Sequence, residues 1–480
     1  MKYSARHRYL GLLLLGSGWV EPGYADETPF FTSRSFLFER PLNQNIAARN
    51  FFWQDIEAEL EYNGIRVLPL YQHTRCNLRL AGYFLLNCQS SITIAGNDSG
   101  AALTRDVCAE YLRLPSTFNG ILSLTPYERQ TGTLVTYNHN LGHIIKWLER
   151  VWFTVSFPII SCKRALNPSQ RILTNPGPIN DNAPSDLLSA FNQPSFRYGR
   201  MTTHVLSKAG LSEINIGFGT TFAAKNDFLL WYQTTLDIQT FKRADPTFLF
   251  SPVVGPNGHF AWSNEVAIGF PLQPEDSCYH VRLIMNLASH FYFPKNQIRV
   301  FDLHHKPWSR YLLLRNQRDR SLVVPAISVL SQCVRVHPHC AGELAISLAG
   351  AYEGYTIEAG YFLWARNQER LTFLRQGCSP TRPLVTDFGI ADITPESTCS
   401  ASNSTIFQPG TPDTTFVTLF QNDINLHSGA TPGALSQGVH IELGYRGTCA
   451  YAALGSWIEQ PHTNTALKTW GVFGTIGTEF

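Results

Sequence analysis

Four carboxylates recur at every second position, Asp55, Glu57, Glu59 and Glu61, with Ile56, Ala58, Leu60 and Tyr62 between them. Period-two spacing sends alternate side chains to opposite faces of a strand, so this segment would carry a ladder of negative charge on one face. Lining a confined aqueous path, such a ladder would concentrate cations. Asn63-Gly64 follows, a dipeptide suited to a two-residue type I′ turn, which would set Tyr62 beside Ile65 and Glu61 beside Arg66. A helix with Phe52, Ile56 and Leu60 on one stripe is the competing reading, because Glu, Ala and Leu favour helices.

His337-Pro338-His339-Cys340, with Cys333 upstream and His304-His305 elsewhere, contains metal-ligating residue types. The spacing matches no zinc pattern, and a loop stapled by a disulfide such as Cys333–Cys340 is preferred to a metal site. Ten cysteines, all beyond residue 75, make loop disulfides an expectation for an exported chain. No Gly-x-Ser-x-Gly elbow, Walker loop, dinucleotide fingerprint or His-Glu-x-x-His stretch occurs. The expectation is a protein that is not an enzyme and needs no cofactor.

The elements that would position these residues are strands. Residues 1–25 have the charge, apolar core and small-residue order of a secretory signal peptide: Lys2, Arg6 and Arg8, then Leu10 to Val20, then Gly23-Tyr24-Ala25. The remaining chain, 26–480, is formally neutral, which gives no footprint for nucleic acid. Charged residues are only 15% and aromatics reach 12%, yet no later apolar run approaches the ~18 residues of a transmembrane helix. Any span must therefore be made of strands.

Alternation recurs along the chain. Ile214, Ile216, Phe218 and Phe222 share one face, as do Val151, Phe153, Val155, Phe157 and Ile159. Glu265 opposes Val266 and Ile268, Arg282 opposes Val281 and Leu283, and Glu442 and Arg446 oppose Ile441, Leu443 and Tyr445. The clearest hairpin turns at Glu353-Gly354 and predicts the pairs Tyr352/Tyr355, Gly350/Ile357, Leu348/Ala359, Ile346/Tyr361 and Leu344/Leu363, with Glu343, Glu358 and Arg366 on the other face. Tyr279, Tyr352, Tyr355, Tyr445 and Trp470 fall where an interfacial aromatic girdle would sit.

The chain ends inside a strand: Trp470, Val472, Ile476 and Phe480 share a face, with Gly471, Thr475, Gly477 and Glu479 opposite and nothing after Phe480. Here the sequence resembles bacterial outer-membrane β-barrel proteins of porin type, whose last strand alternates and ends in Phe; the cysteines bear a loose similarity to cysteine-rich major porins. The resemblance implies an all-β antiparallel transmembrane barrel in the outer membrane. It also implies recognition of Trp470, Val472, Ile476 and Phe480 by the barrel-assembly machinery, and outer-membrane lipid and small hydrophilic solutes as partners. Porins often form homotrimers, and the tyrosine-rich outer faces suit either a trimer contact or lipid.

At about 26–30 residues per strand and connection the chain would hold roughly 16 strands, within a range of about 14–18. Such a bore would be water-filled and support passive diffusion of solutes or ions. Long polar segments at about 161–199 and 376–413 are candidate constriction loops, the first with a short helix from Asp186 to Phe191 capped by Ser185. If Phe480 and the Glu353-Gly354 turn share the periplasmic side, one further strand is needed between 367 and 413. The expected lumen lining is Asp55, Glu57, Glu59, Glu61, Glu265, Glu343, Glu358 and Glu442 against Arg66, Arg282, Arg366 and Arg446, an acidic excess that predicts mild cation preference. The rival functions are a plugged or gated substrate-specific transporter and a secreted soluble all-β binding protein.

Overall fold

The computed structural model describes residues 33–48, 63–74, 78–143, 150–225, 228–241, 243–272, 279–319, 322–374, 384–391, 416–447 and 449–480. The signal-peptide segment and the Asp55–Glu61 ladder lie outside them. Twelve long antiparallel strands close into a ring. They are β1 (Gly64–Thr74), β2 (Tyr127–Asn140), β3 (Val151–Ala165), β4 (Glu213–Lys225), β5 (Phe228–Gln239) and β6 (Ala261–Pro271). The second half comprises β7 (Tyr279–Tyr292), β8 (His339–Tyr352), β9 (Tyr355–Arg366), β10 (Ala434–Arg446), β11 (Ala450–Pro461) and β12 (Thr469–Glu479). Each strand pairs with its successor, and β12 returns to β1. A shorter strand, Leu206–Leu211, adds to the far half of β3. Closure leaves the ring without an exposed edge, the condition for a sheet to cross lipid.

The alternation in the sequence maps onto the two faces of this ring. Outward rows carry Ile476, Phe222 and Leu443 at 65%, 59% and 58% exposure, with Phe157, Trp262, Leu348 and Val439 also exposed. A soluble sandwich would bury these rows in its core; on a closed ring they face outward, as the lipid-facing rows of a membrane barrel do. The Glu353-Gly354 hairpin forms in the expected register, including all five expected pairs. Both turn residues have positive φ, 48° and 85°, as a type I′ turn requires. Tyr279, Tyr352, Tyr355 and Tyr445 stand side by side in consecutive registers, an aromatic girdle at this rim.

Several expectations are corrected. The ring has twelve strands rather than about 16, because the connections at one rim consume far more residues than simple loops would. The proposed Asn63-Gly64 hairpin does not form. Gly64 is the first residue of β1, and both edges of β1 are taken: Ile65 pairs Thr478 and Tyr137, and Arg66 pairs Gly477 and Thr136. The strand sought between 367 and 413 is instead β11, at 450–461; the described short strands Arg370–Phe373 and Phe388–Ala391 belong to other sheets. With β11 counted, Phe480 and the Glu353-Gly354 turn share one rim.

Short connections lie at that rim, and the long ones, 75–126, 166–212, 240–260, 293–338 and 367–433, gather at the other. Short periplasmic turns and long extracellular connections are the usual asymmetry of such barrels. The long connections build a cap of four small sheets around one apolar core that includes Phe84, Ile94, Phe118, Leu122, Phe191 and Trp308. Trp308 is fully buried, its indole donates to the Phe84 carbonyl at 2.8 Å, and its ring meets Phe191 and Tyr311 at 5.7 and 5.1 Å. The helix α1 (Leu187–Phe191) is capped by Asp186 rather than Ser185: the Asp186 carboxylate accepts from the Ser189 N–H at 2.8 Å in a reciprocal box. Cys340, at the start of β8, remains a thiol and accepts from the Asn367 amide at 3.2 Å, so the Cys333–Cys340 staple is not formed. No described helix is long and apolar enough to cross a membrane.

His259 sits where the cap meets β6 and is 1% exposed. Its Nδ1 donates to the Phe293 carbonyl at 2.8 Å, and its Nε2 accepts from the Gln297 amide at 2.9 Å. The Gln297 orientation is set by its own oxygen, which accepts from Arg299 at 3.1 Å and Asn257 at 3.2 Å. Burial pushes the imidazole down to about 4.

Candidate functional site: the lumen and its strap

The inward rows are polar, yet the lumen is not open. Residues 33–48 run from the cap into the barrel as an irregular strap with two short 3-10 turns, Leu42–Gln44 and Ile46–Ala48. At the cap Arg310 donates to the Ser33 hydroxyl at 2.9 Å while paired with Asp302 at 2.5 Å, and the Ser35 N–H reaches the Ser428 carbonyl at 3.0 Å. An irregular backbone in a closed site must find partners outside itself. Those partners are the cap and the wall: Phe38 N–H donates to Thr431 of the connection before β10 at 3.2 Å, and Ile46 N–H to the Glu343 carboxylate of β8 at 2.8 Å.

Side chains complete the anchoring. Arg40 pairs with Glu459 on β11 at 2.5 Å and with Glu343 on β8 at 3.5 Å. Asn43 donates to Glu213 on β4 at 2.6 Å, and Gln44 accepts from the Tyr292 hydroxyl on β7 at 2.8 Å. Leu42, Ile46 and Ala47 pack with wall residues Leu68, Leu134, Phe362, Trp457 and Phe473 in a small apolar cluster. Beside the strap lies a polar cavity of about 100 Å³, bordered by Asn43 and Gln44 and by Arg66, Asp237, Glu265 and His290 of the walls. Further toward the short-turn rim, Trp152 and Trp231 meet edge to face at 6.2 Å. The Trp152 ring lies over Gly219, where an added Cβ would fall 2.2 Å from it.

Most of the described residues expected to line the lumen face inward. Glu265 accepts from Asn286 at 2.6 Å, Glu358 meets His440 at 2.9 Å, and Glu442 accepts from the Tyr451 hydroxyl. Glu343 holds the strap, Arg66 borders the cavity, and Arg282 lies on the inward row of β7 opposite Ala349. Arg366 sits at the cap end, donating to the Thr465 and Pro432 carbonyls at 2.8 and 3.3 Å. Arg446 differs: it is exposed at the short-turn rim, 4.0 Å from Glu479, because β10 ends there. Trp470 is half-buried at the cap end of β12, where its ring meets Tyr71, while Val472, Ile476 and Phe480 are exposed on the outward row.

Sequence reasoning missed Arg40, Glu128, Arg164, Glu213, Asp237 and Glu459. Arg164 and Glu128 form an ion pair near the cap, each 1% exposed, with Arg164 also donating to the Leu37 carbonyl of the strap at 3.4 Å. The available signal was a stretch, Ser33 to Ala48, that breaks the alternation while mixing Arg, Glu and Asn with Leu, Phe and Ile. Among the described residues it is this strap, and not 161–199, that fills the lumen. The described part of 161–199 forms the end of β3 and part of the cap, and most of 376–413 lies outside the described residues.

A closed antiparallel ring, apolar outside and polar within, with short turns at one rim and long connections at the other, is a bacterial outer-membrane β-barrel. No protein-family model matches the chain, and no curated protein matches it. Among solved structures it is similar to an outer membrane channel from Pseudomonas putida F1, at 8% identity over 88% of this chain and 98% of that one, with a TM-score of 0.39. A mutant of the TodX monoaromatic hydrocarbon channel is similar at 8% identity over 88% of this chain and 91% of that one, TM-score 0.35. The transport unit of the autotransporter AIDA-I from Escherichia coli covers 92% of this chain and 99% of its own, at 8% identity and TM-score 0.28. The class rests on the closed ring and its outer belt.

Proposed function

We propose that the protein is a gated outer-membrane channel for small hydrophilic solutes, with a preference for cations, closed in this conformation by the strap 33–48. The observation that carries the proposal is the strap itself, hydrogen-bonded from the cap end to Glu213, Glu343, Glu459 and Tyr292 in four different wall strands. It favours the gated reading over simple diffusion through an open bore. Cation preference follows from the buried inward carboxylates, among them Glu213, Asp237, Glu265, Glu343, Glu358 and Glu442, which exceed the inward guanidiniums. In a narrow bore with low-dielectric walls their field is focused on the path. The row Trp470, Val472, Ile476 and Phe480 is the part of this proposal read by the barrel-assembly machinery.

Single-channel recording in planar bilayers tests the reading. The refolded mature chain should show low conductance, and deleting 33–48 should raise conductance and leave it cation-selective. Equal conductance of the two folded proteins would overturn the gating role of the strap.

A further inference from the structure

Arg40 is held by more than an ion pair. Its Nη2 lies 2.5 Å from Glu459 and its Nη1 3.5 Å from Glu343. The guanidinium carbon stands 5.7 Å from the ring centres of both Phe362 and Trp364. The four surrounding side chains come from three wall strands, β8, β9 and β11, and each is at least nine-tenths buried. Ser436 and Thr469 donate to the two oxygens of Glu459, fixing its orientation from β10 and β12. The cage is thus built by the barrel, while its occupant comes from the strap.

Two carboxylates and two aromatic faces around one planar cation are the chemistry by which proteins recognise guanidinium and alkylammonium groups. The two cage carboxylates carry two negative charges, of which Arg40 offsets one when it is in place, and a second guanidinium, Arg366, stands 5.5 Å from the Trp364 ring centre. If the strap leaves the lumen, as the gated-channel reading requires, this cage faces the path with Glu459 still oriented by Ser436 and Thr469, which do not belong to the strap. We propose that Glu343, Glu459, Phe362 and Trp364 form a binding site for guanidinium-bearing organic cations, which Arg40 occupies in the closed state as an internal competitor. A solute of that class and the strap then exclude each other, so the solute favours the open state by as much as it prefers it.

The test uses the full mature chain, refolded in detergent, with ethylguanidinium as probe and urea as a planar neutral control. Arg40→Ala empties the cage. Ethylguanidinium should then give a saturable change in tryptophan fluorescence, with affinity roughly tenfold or more above that for urea and absent from the wild type at the same concentrations. Adding Glu343→Gln and Glu459→Gln to Arg40→Ala should remove the response. A folded Arg40→Ala protein with no saturable response, or one indifferent to the two Gln substitutions, overturns the site. Should Arg40→Ala not fold alone, refolding with ethylguanidinium present is the readout: recovery by ethylguanidinium but not urea supports the site, and no recovery overturns it. Binding without any conductance would sink the channel reading and leave the site, whereas cation-selective conductance without binding would do the reverse.

Discussion

Acidification should loosen the cap through His259. The imidazole is held neutral by burial, and its Nε2 accepts from the Gln297 amide, so protonation there would set two N–H groups against each other. With the folded value pushed down to about 4 and the unfolded value near ~6.5, the unfolded chain takes up the proton first as pH falls. The stabilisation is therefore complete above pH ~6.5, declines between ~6.5 and ~4, and is constant below that range. At ~1.4 kcal/mol per pH unit the full loss is about 3 kcal/mol, of which about 2 kcal/mol has gone by pH 5. Urea titrations of the detergent-folded protein at pH 7.5 and 5, with wild type beside His259→Gln, isolate this contribution from the titrating carboxylates. Gln can still donate to the Phe293 carbonyl and does not titrate, so its stability should fall less by about 2 kcal/mol over the same interval. Identical pH dependence in the two proteins would refute the reasoning.

Deleting Phe480 removes the pair of hydrogen bonds to Asn63, at 3.0 and 3.1 Å, at the end of the β1–β12 seam, together with the end of the outward row. Folded protein, measured as the fast-migrating species on unheated gels, should fall sharply, and wild-type levels would count against the assembly role. Trp308→Ala should cost about 3–5 kcal/mol, felt within the cap. Limited proteolysis should then cut the cap while the barrel keeps its unheated mobility; a protease-resistant cap would show that Trp308 does not organise that core. Neutralising Glu57 and Glu59 together should lower the cation-to-anion permeability ratio at low salt, and the effect should shrink at ~1 M salt, where the screening length is ~3 Å. Unchanged selectivity in a conducting protein would place that ladder off the path.

What was legible in the sequence was whatever the lipid dictates. An outward row must be apolar for the width of the membrane, so Ile346, Leu348 and Ile357 could be placed on it, and the turn at Glu353-Gly354 then fixed a twelve-pair register. The terminal row ending in Phe480 was equally open to reading. Asn63-Gly64 misled because turn chemistry is local, whereas the edges of β1 are claimed by partners at residues 127–140 and 469–479. The strand β11 was passed over because its outward row includes the small Ala450 and Ala452 beside Leu454 and Ile458. The cap and the strap have no period to detect: their backbones are satisfied by side chains distant in sequence, as Ile46 is by Glu343. Their packing therefore leaves no local trace, and the candidate site was legible only for the half of it that the walls supply.

Within the twelve-stranded ring every pairing save one joins consecutive strands, the exception being the seam between β1 and β12. Pairing can thus spread around the ring step by step, with long connections adding only logarithmically to the entropy of closing each step. On that route the seam would form last, closing the ring around residues 33–48. From then on residues 33–48 have no lateral exit, since leaving sideways would require two strands to part in lipid with their hydrogen bonds unmade. The strap can travel only along the axis, and its cap end is tied by Arg310 to Ser33. In the proposed gated channel, opening would therefore be a one-dimensional movement, its direction set by which of the two anchorages, the cap at Ser33 or the wall at Arg40, gives way first.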